Sequence, residues 1–357
     1  MSPVAAPARV LVVGAGLIGT SIAMALQRQD VRVALDDVDP ENMAIAVARG
    51  AGQAIEPSFI PDVVVVAVPP RMAADVLARS SEAFPHAALT DVTSVKAPVL
   101  SMAVDRGADP QRLVGGHPMA GREVSGAVGA RGDLFDGRIW ILTPSPEAEP
   151  AVIDAVQSIV TMCGATPVIM DAADHDRAVA LVSHAPQVVA SVLAGRLTEA
   201  GDGQVQIAGQ GLRDMTRIAD SSPGLWTDIL SANADPVADV VQAIADDLAL
   251  LAQALRGGAA GQVRDALELG NAGKARIPGK HGTEPRPDAA VTVMLADRPG
   301  ELARMFTAAA AADVNTEDVR IDHVLGRPSG LVEIVVAPSS VDRLADALRA
   351  AGFDVRS

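Results

Sequence analysis

The 357-residue sequence predicts three successive folded regions. The first is a doubly wound α/β domain over residues 1–171, the second an all-α domain over 172–269. A linker over 270–287 leads to a small α+β domain over 288–357. Three observations carry this reading. Short aliphatic runs alternate with Ala-rich stretches as far as Asp171, which is the rhythm of a parallel sheet wrapped by helices. Beyond Asp171 aliphatic residues recur at helical spacing with almost no strand-like run. The C-terminal stretch then reads strand, helix, strand, strand, helix, the order of a ferredoxin-like split βαβ unit.

Taken in order, Arg9-Val10-Leu11-Val12-Val13 is a buried strand, followed by strands at 31–35, 63–67, 88–91, 113–115 and 139–142. Helix-compatible stretches at 20–29, 40–49 and 73–80 separate them. In the helical domain 237–255 is a long helix, and 204–208 is the one short strand expected there. The basic, Gly- and Pro-containing stretch Gly273-Lys274-Ala275-Arg276-Ile277-Pro278-Gly279-Lys280 belongs to the linker. It is not a phosphate-binding P-loop: Gly273 stands one residue too far from Gly279, and His281 occupies the Ser/Thr position. Strands at 291–296, 319–324 and 331–336, helices at 299–312 and 341–351, and a closing strand at 353–356 complete the last domain.

Hydrophobic residues make up 49% and charged residues 20%, a globular composition. Lys and Arg number 29 against 44 Asp and Glu, a net charge of −15 that argues against a nucleic-acid partner. With five Phe, two Trp and no Tyr, the core must be aliphatic, and tyrosine acid–base chemistry is excluded, including that of Tyr-x-x-x-Lys enzymes. The single Cys163 excludes an internal disulfide or a Cys-clustered metal site and reads as a buried hydrophobe. Residues 1–8 lack the basic and apolar regions of a signal peptide. The longest unbroken apolar runs, such as 63–68, fall short of a membrane span. A soluble, cytoplasmic protein without a membrane partner is expected.

Gly14-Ala15-Gly16-Leu17-Ile18-Gly19 is a G-x-G-x-x-G directly after the first strand and before a helix, the context that dinucleotide binding requires. Gly14 allows the tight turn, Gly16 lets the backbone approach a pyrophosphate, and Gly19 lets the helix pack on the strand. Leu17 and Ile18 open the helix whose free N–H groups face the phosphates. The second strand ends in Asp36-Asp37. A carboxylate there accepts from the adenosine ribose and repels a 2′-phosphate, which favours NAD over NADP, with Asp37 preferred to Asp36 for that role. The domain is therefore of Rossmann type.

Asp91-Val92-Thr93-Ser94-Val95-Lys96 and Gly115-Gly116-His117-Pro118-Met119-Ala120-Gly121 each follow a strand, at the carboxyl ends where open α/β sheets bind ligands. His117, in a rigid loop between Gly-Gly and Pro, suits a general base. Further along stand Ser183-His184-Ala185-Pro186-Gln187, Arg213-Asp214-Met215-Thr216-Arg217-Ile218-Ala219 and Ser222-Pro223-Gly224-Leu225-Trp226. His175, between Asp174 and Asp176, reads as a structural residue at a helix start. His86, His281 and His323 have no metal-like spacing, and no metal is expected.

With these motifs the sequence closely resembles the prephenate dehydrogenases of tyrosine biosynthesis, along almost the whole chain. The resemblance implies NAD-dependent oxidative decarboxylation of prephenate to 4-hydroxyphenylpyruvate. It implies His117 as the base that accepts the 4-hydroxyl proton and Ser94 as the hydrogen-bond donor to the reacting centre. Arg217 would grip a substrate carboxylate, with Arg213 beside it, and His184, Glu123 and Trp226 would border the pocket. Gln187 stands where many relatives carry a second histidine, so a contact there is uncharged. Arogenate or an amino-substituted prephenate are the alternative substrates, and an NAD-bound amino-acid sensor without catalysis is the alternative outside enzymes.

Asp297-Arg298-Pro299-Gly300-Glu301-Leu302, with Ala312-Asp313-Val314-Asn315, resembles an ACT domain, which implies regulation by a bound amino acid, tyrosine being the natural feedback ligand. The helical domain carries more apolar surface than one layer can cover, so a homodimer is expected.

Overall fold

The computed structural model describes residues 7–121, 124, 126–277, 289–323 and 329–356. It divides into two compact units, Met1–Asp246 and Asp247–Ser357. The first begins with β1 (Arg9–Val13), α1 (Leu17–Gln27), β2 (Arg32–Asp36), α2 (Pro40–Ala48), β3 (Gln53–Ala54), β4 (Val63–Val66) and α3 (Pro70–Ala83). It continues with β5 (Ala88–Asp91), α4 (Ala97–Asp105), β6 (Leu113–Pro118), β7 (Ile139–Pro144), α5 (Pro150–Met162) and β8 (Thr166–Ile169). The strands form one sheet in the order β3-β2-β1-β4-β5-β6-β7-β8. The chain reverses its direction of winding between β2-β1 and β4, which opens a crevice at the carboxyl ends of β1 and β4.

Strand periodicity explains the two buried layers. Val10 and Val12 of β1 face one side, against Ile22 and Leu26 of α1 and Val156 and Ile159 of α5. Leu11 faces the other, with Val64 and Val66 of β4, Leu77 of α3 and Val99 of α4. β4 is four fully buried valines, each worth roughly 1.5–3 kcal/mol relative to exposure. Cys163 is buried with the first layer, and burial holds its thiol up at about 12. Helix starts follow local chemistry. Asp39 Oδ1 accepts from Glu41 N at 2.9 Å ahead of Pro40 in α2.

Six helices follow: α6 (Ala172–Val179), α7 (Ala185–Arg196), α8 (Asp202–Gln206), α9 (Gln210–Thr216), α10 (Pro223–Ala232) and α11 (Ala234–Arg256), the last running past the boundary between the units. Asp171 caps α6 by accepting from Ala173 N at 2.8 Å. A single turn of π-helix, Ala180–His184, joins α6 to α7. In the second unit α12 (Ala260–Ala275) is followed by β9 (Ala289–Ala296), α13 (Glu301–Ala311), β10 (Asp318–His323), β11 (Ser329–Val336), α14 (Val341–Ala350) and β12 (Asp354–Arg356). Its sheet is antiparallel, in the order β10-β11-β9-β12. Alternate residues Val291, Val293 and Leu295 of β9 meet Met305 of α13 and Leu344 and Leu348 of α14 in one core.

Several expectations change. The sheet is not wholly parallel, because β7 runs antiparallel to β6. β6 also extends to Pro118, so His117 lies in a strand, paired with Ile141, rather than in a loop. Residues 204–208 are not a strand. Gln204 folds its side-chain oxygen back onto Gly201 N at 2.9 Å and starts α8 instead. Residues 270–275, read as linker, continue α12, since a Gly in a helix costs only about 1 kcal/mol. The helical run 172–199 is long and apolar enough to cross a membrane by length and composition, although its unbroken apolar runs are short. It carries the buried polar residues His175, Asp176, His184 and Gln187 on its inner side and exposes Leu181, Val182 and Val192.

Candidate active site

The glycine loop is built as the turn demands. Gly14 has φ +104°, and a Cβ there would lie 2.5 Å from Ala67 O. A Cβ on Gly19 would lie 1.9 Å from Gly14 O. At Gly16 a Cβ would meet nothing within 4 Å, so its space is open to a ligand. No side chain caps the first turn of α1, leaving its N–H groups available for phosphate oxygens. Asp37 accepts Ala15 N from the loop and, through Oδ1, Asp39 N at 2.8 Å. Asp36 ends β2 with an exposed side chain, and its carbonyl accepts Gly14 N at 2.7 Å. Both carboxylates border a cavity of about 390 Å³ walled by Val38, Ile55, Met72 and Val76, which suits an adenosine.

On the other side of the loop a cavity of about 480 Å³ is lined by Gly16, Leu17 and Ile18, by Ser94 after β5, and by His117. Leu225 and Ile229 of α10 also line it, two residues that the sequence did not single out because nothing local distinguishes them from core leucine and isoleucine.

The position of Ser94 is set by a buried lattice. Asp91, at the end of β5, accepts Thr93 N at 2.9 Å, the Thr93 hydroxyl and Lys96 Nζ. Lys96 Nζ also donates to Gly116 O at 2.6 Å, which ties this loop to the strand carrying His117. Lys96 and Asp91 are fully buried. Burial pushes the Lys96 ammonium down from its usual range, with Asp91 and then Asp176 opposing the shift. The two glycines before His117 are needed for packing. A Cβ on Gly116 would lie 2.5 Å from Asp91 O and 3.0 Å from Trp140 Nε1, and one on Gly115 2.4 Å from Thr143 Oγ1. Gly116→Ala is therefore expected to destabilise the first unit by about 1–3 kcal/mol and to displace His117. Thermal denaturation together with kcat checks this, and an unchanged Tm would contradict it.

His117 Nδ1 lies 2.8 Å from His175 Nε2, and His175 Nδ1 lies 2.8 Å from Asp176 Oδ1. Asp176 in turn accepts Lys96 N and Ala97 N, both at 2.8 Å, and so caps α4 from a distance. His117 is held well below its ordinary pKa, first by burial and then by the Lys96 charge, with His175 and His184 acting in the same direction. It is neutral near pH 7, with Nε2 left for the cavity.

A model of the prephenate dehydrogenase nucleotide-binding domain matches residues 22–169, and one of the prephenate dehydrogenase dimerization domain matches residues 171–269. The probable prephenate dehydrogenase NovF of Streptomyces niveus is 38% identical over 350 residues, 95% of this chain and 97% of NovF.

The chain belongs to the prephenate dehydrogenase family.

Solved structures agree with this. The prephenate dehydrogenase of A. aeolicus, in complex with hydroxyphenyl propionate and NAD+, has a TM-score of 0.69 at 28% identity, covering 74% of this chain and 96% of that one. Synechocystis arogenate dehydrogenase has a TM-score of 0.65 at 26% identity, covering 74% and 98%. The protein is thus a dehydrogenase with a nucleotide-binding domain followed by the family's dimerization domain.

The remaining expected residues of this prephenate dehydrogenase family member stand at varying distance from the cavity. His184 is buried behind it, with its Nδ1 3.1 Å from Asn233 Nδ2. That amide also donates to Asp176 O at 2.9 Å, so His184 Nδ1 is the acceptor and its proton sits on Nε2. Burial lowers the His184 imidazole to about 4, against the opposing charge of Asp176. Trp226 is half-buried with its ring edge-on to His184 at 6.0 Å. Gln187 is buried and donates to Ser191 Oγ at 3.3 Å. Arg213 and Arg217 are exposed, on α9 and on the 3₁₀ turn after it, which packs against α7. Neither lines the cavity. Glu123 lies outside the described residues. His175 departs most from expectation. Read as a helix-start residue, it is fully buried and bonded to His117. Its acidic neighbours matched a helix-dipole pattern, and that local explanation concealed the tertiary one.

Proposed function

We propose that this enzyme converts prephenate to 4-hydroxyphenylpyruvate by oxidative decarboxylation with NAD. The observation that supports it most is the shared cavity, in which Ser94 and the free ring nitrogen of His117 stand beside the glycine loop. Bound NAD supplies the acceptor for the hydride that leaves C4 of the substrate ring. His117 Nε2 takes the proton of the 4-hydroxyl as the C4–O bond becomes a carbonyl, and the Ser94 hydroxyl orients that oxygen. The electron pair of the ring carbon–carboxylate bond then enters the ring as CO₂ leaves, the carbonyl oxygen takes the proton back from His117, and the product is an aromatic phenol. Leu225 and Ile229 give that cavity an apolar wall. Asp37, anchored to the glycine loop, is the ribose ligand that disfavours NADP.

Arg217, with Arg213 one helical turn before it, is assigned to a substrate carboxylate on the strength of the Arg-Asp-Met-Thr-Arg motif in the dimerization domain. His184, Gln187, Trp226 and Glu123 are assigned to the pocket border on the same ground. Two copies of the chain are expected to pair through the exposed Leu181, Val182 and Val192 side of the helical domain.

The C-terminal unit is assigned to an ACT-type regulatory role with tyrosine as effector. A cavity of about 490 Å³ there is lined by Asp297 and Arg298 of the β9–α13 loop and by Leu295, Leu302 and Ile321. Those groups suit the amino group, the carboxylate and the ring of an aromatic amino acid respectively.

NADH formation with prephenate or arogenate, under NAD or NADP and with or without tyrosine, tests the whole reading. Prephenate with NAD should be fastest, and tyrosine should inhibit. Turnover of arogenate without turnover of prephenate would sink the substrate assignment. In the same assay Arg217→Ala should chiefly raise KM for prephenate, and an unaltered KM would remove Arg217 from its role.

The pH profile follows from the His117 shift. The protonated imidazole cannot act as base, so activity is lost as pH falls through its lowered pKa. The acid limb of kcat/KM should therefore stay flat from pH 8 down through about 6.5, the usual histidine value, and fall only below it. A limb centred at or above 6.5 would contradict the assignment.

A further inference from the structure

We propose that His175 and Asp176 are positioning residues that lock His117 into a single tautomer, with the proton on Nδ1 and the basic lone pair on Nε2 toward the cavity. This rests on the reading of His117 as the base.

The geometry runs in one direction. Asp176 is held in place from outside the relay, because its two oxygens accept Lys96 N and Ala97 N at the start of α4. Its Oδ1 also faces His175 Nδ1 at 2.8 Å, and a carboxylate can only accept, so that nitrogen carries a proton. A neutral His175 then presents a lone pair at Nε2. Among the described residues the group at hydrogen-bond distance from it is His117 Nδ1, which then donates. The ring planes of the two histidines are inclined by 72°, so the contact is made edge to edge with no stacking. His117 Nε2 is thereby left unprotonated at the cavity that also holds Ser94.

The charged and titratable groups that face this pair come from every neighbouring element. Lys96 and Asp91 stand on the β5–α4 loop, Asp176 on α6 and His184 on the π-turn. Asn233, after α10, steadies both Asp176 O and His184 Nδ1. Without the lock, a free imidazole would distribute its proton over both ring nitrogens, and a fraction of the enzyme would offer N–H where the base is needed.

The test uses the full-length protein in its NAD-bound form. The sequence holds six histidines, so two-bond ¹H–¹⁵N correlation spectra of histidine-labelled protein resolve each ring, with the His117→Asn spectrum assigning His117. His117 is expected as the Nδ1–H tautomer. In His175→Leu the Nε2–H form should appear, with kcat lowered by about 10- to 100-fold and KM for prephenate and NAD affinity within about twofold. His175→Gln, which can place an amide oxygen near the lost Nε2, should restore the Nδ1–H tautomer and most of kcat.

A His117 Nε2–H tautomer in the unmodified enzyme, or a doubly protonated His175 that donates to His117, would overturn the proposal. So would a His175→Leu enzyme with unaltered kcat. Should His175→Leu fail to fold, the unmodified enzyme and His175→Gln still decide it. The tautomer is read without substrate, so an enzyme inactive on prephenate but showing Nδ1–H would refute the substrate reading and leave the lock standing.

Discussion

Replacing His117 with asparagine lowers kcat by roughly two to four orders of magnitude while NAD still binds. The size of the effect follows from what asparagine keeps and what it removes. Its amide nitrogen can occupy the place of Nδ1 and donate to His175 Nε2, so the buried contact is retained. Nothing basic then faces the cavity, and the 4-hydroxyl proton has to leave without an acceptor. The NAD site is spared because its backbone donors and carboxylates lie on the glycine loop and at the end of β2. Steady-state rates and calorimetric titration with NAD separate the two effects. An unchanged kcat would remove His117 from the reaction, and a lost NAD affinity would mean that the substitution had disturbed the fold.

Lys96→Met is expected to destabilise the first unit by about 3–5 kcal/mol, the usual cost of leaving one member of a buried ion pair behind. Asp91 would keep Thr93 N and Gly116 N as donors but lose the buried Lys96 cation. Gly116 O would lose its partner as well, so the strand bearing His117 should loosen against the Ser94 loop. Urea denaturation measures the loss as a lower midpoint at similar slope. The double variant Lys96→Met/Asp91→Leu should recover part of it, since two apolar groups avoid the stranded charge. A single variant within about 1 kcal/mol of the parent, the range of an exposed ion pair, would show that the pair is not the clamp described.

Local patterns announced much of this molecule. The glycine fingerprint was legible because each glycine answers a backbone need within a few residues of itself, as Gly14 and Gly19 show. The strand, helix, strand, strand, helix order read for the C-terminal region is the order of β9, α13, β10, β11 and α14. Errors came where local chemistry had two outcomes. Residues 204–208 have strand-like composition, but a side-chain cap draws 204–206 into α8. Gly115 reads as the last strand residue and Gly116 as the start of a loop, whereas both lie inside β6, stripped of side chains so that Thr143, Trp140 and Asp91 can approach.

The sequence by itself determined the dinucleotide loop, the acidic end of β2, and His117 as a residue to watch. Each is recognised by its own neighbours in the chain, and short-range sterics and turn chemistry act there with little help from the rest of the molecule. Tertiary structure alone decided the surroundings of the base. His117 meets His175 at a sequence separation of 58, and Asp176 reaches back 80 to the start of α4. Such contacts depend on how α6 seats against the sheet, and no periodicity or spacing in the chain encodes it. The acidity of a base is set by desolvation and by the charges that surround it, so the state of His117 could be known only once Lys96, His175 and His184 had been brought around it.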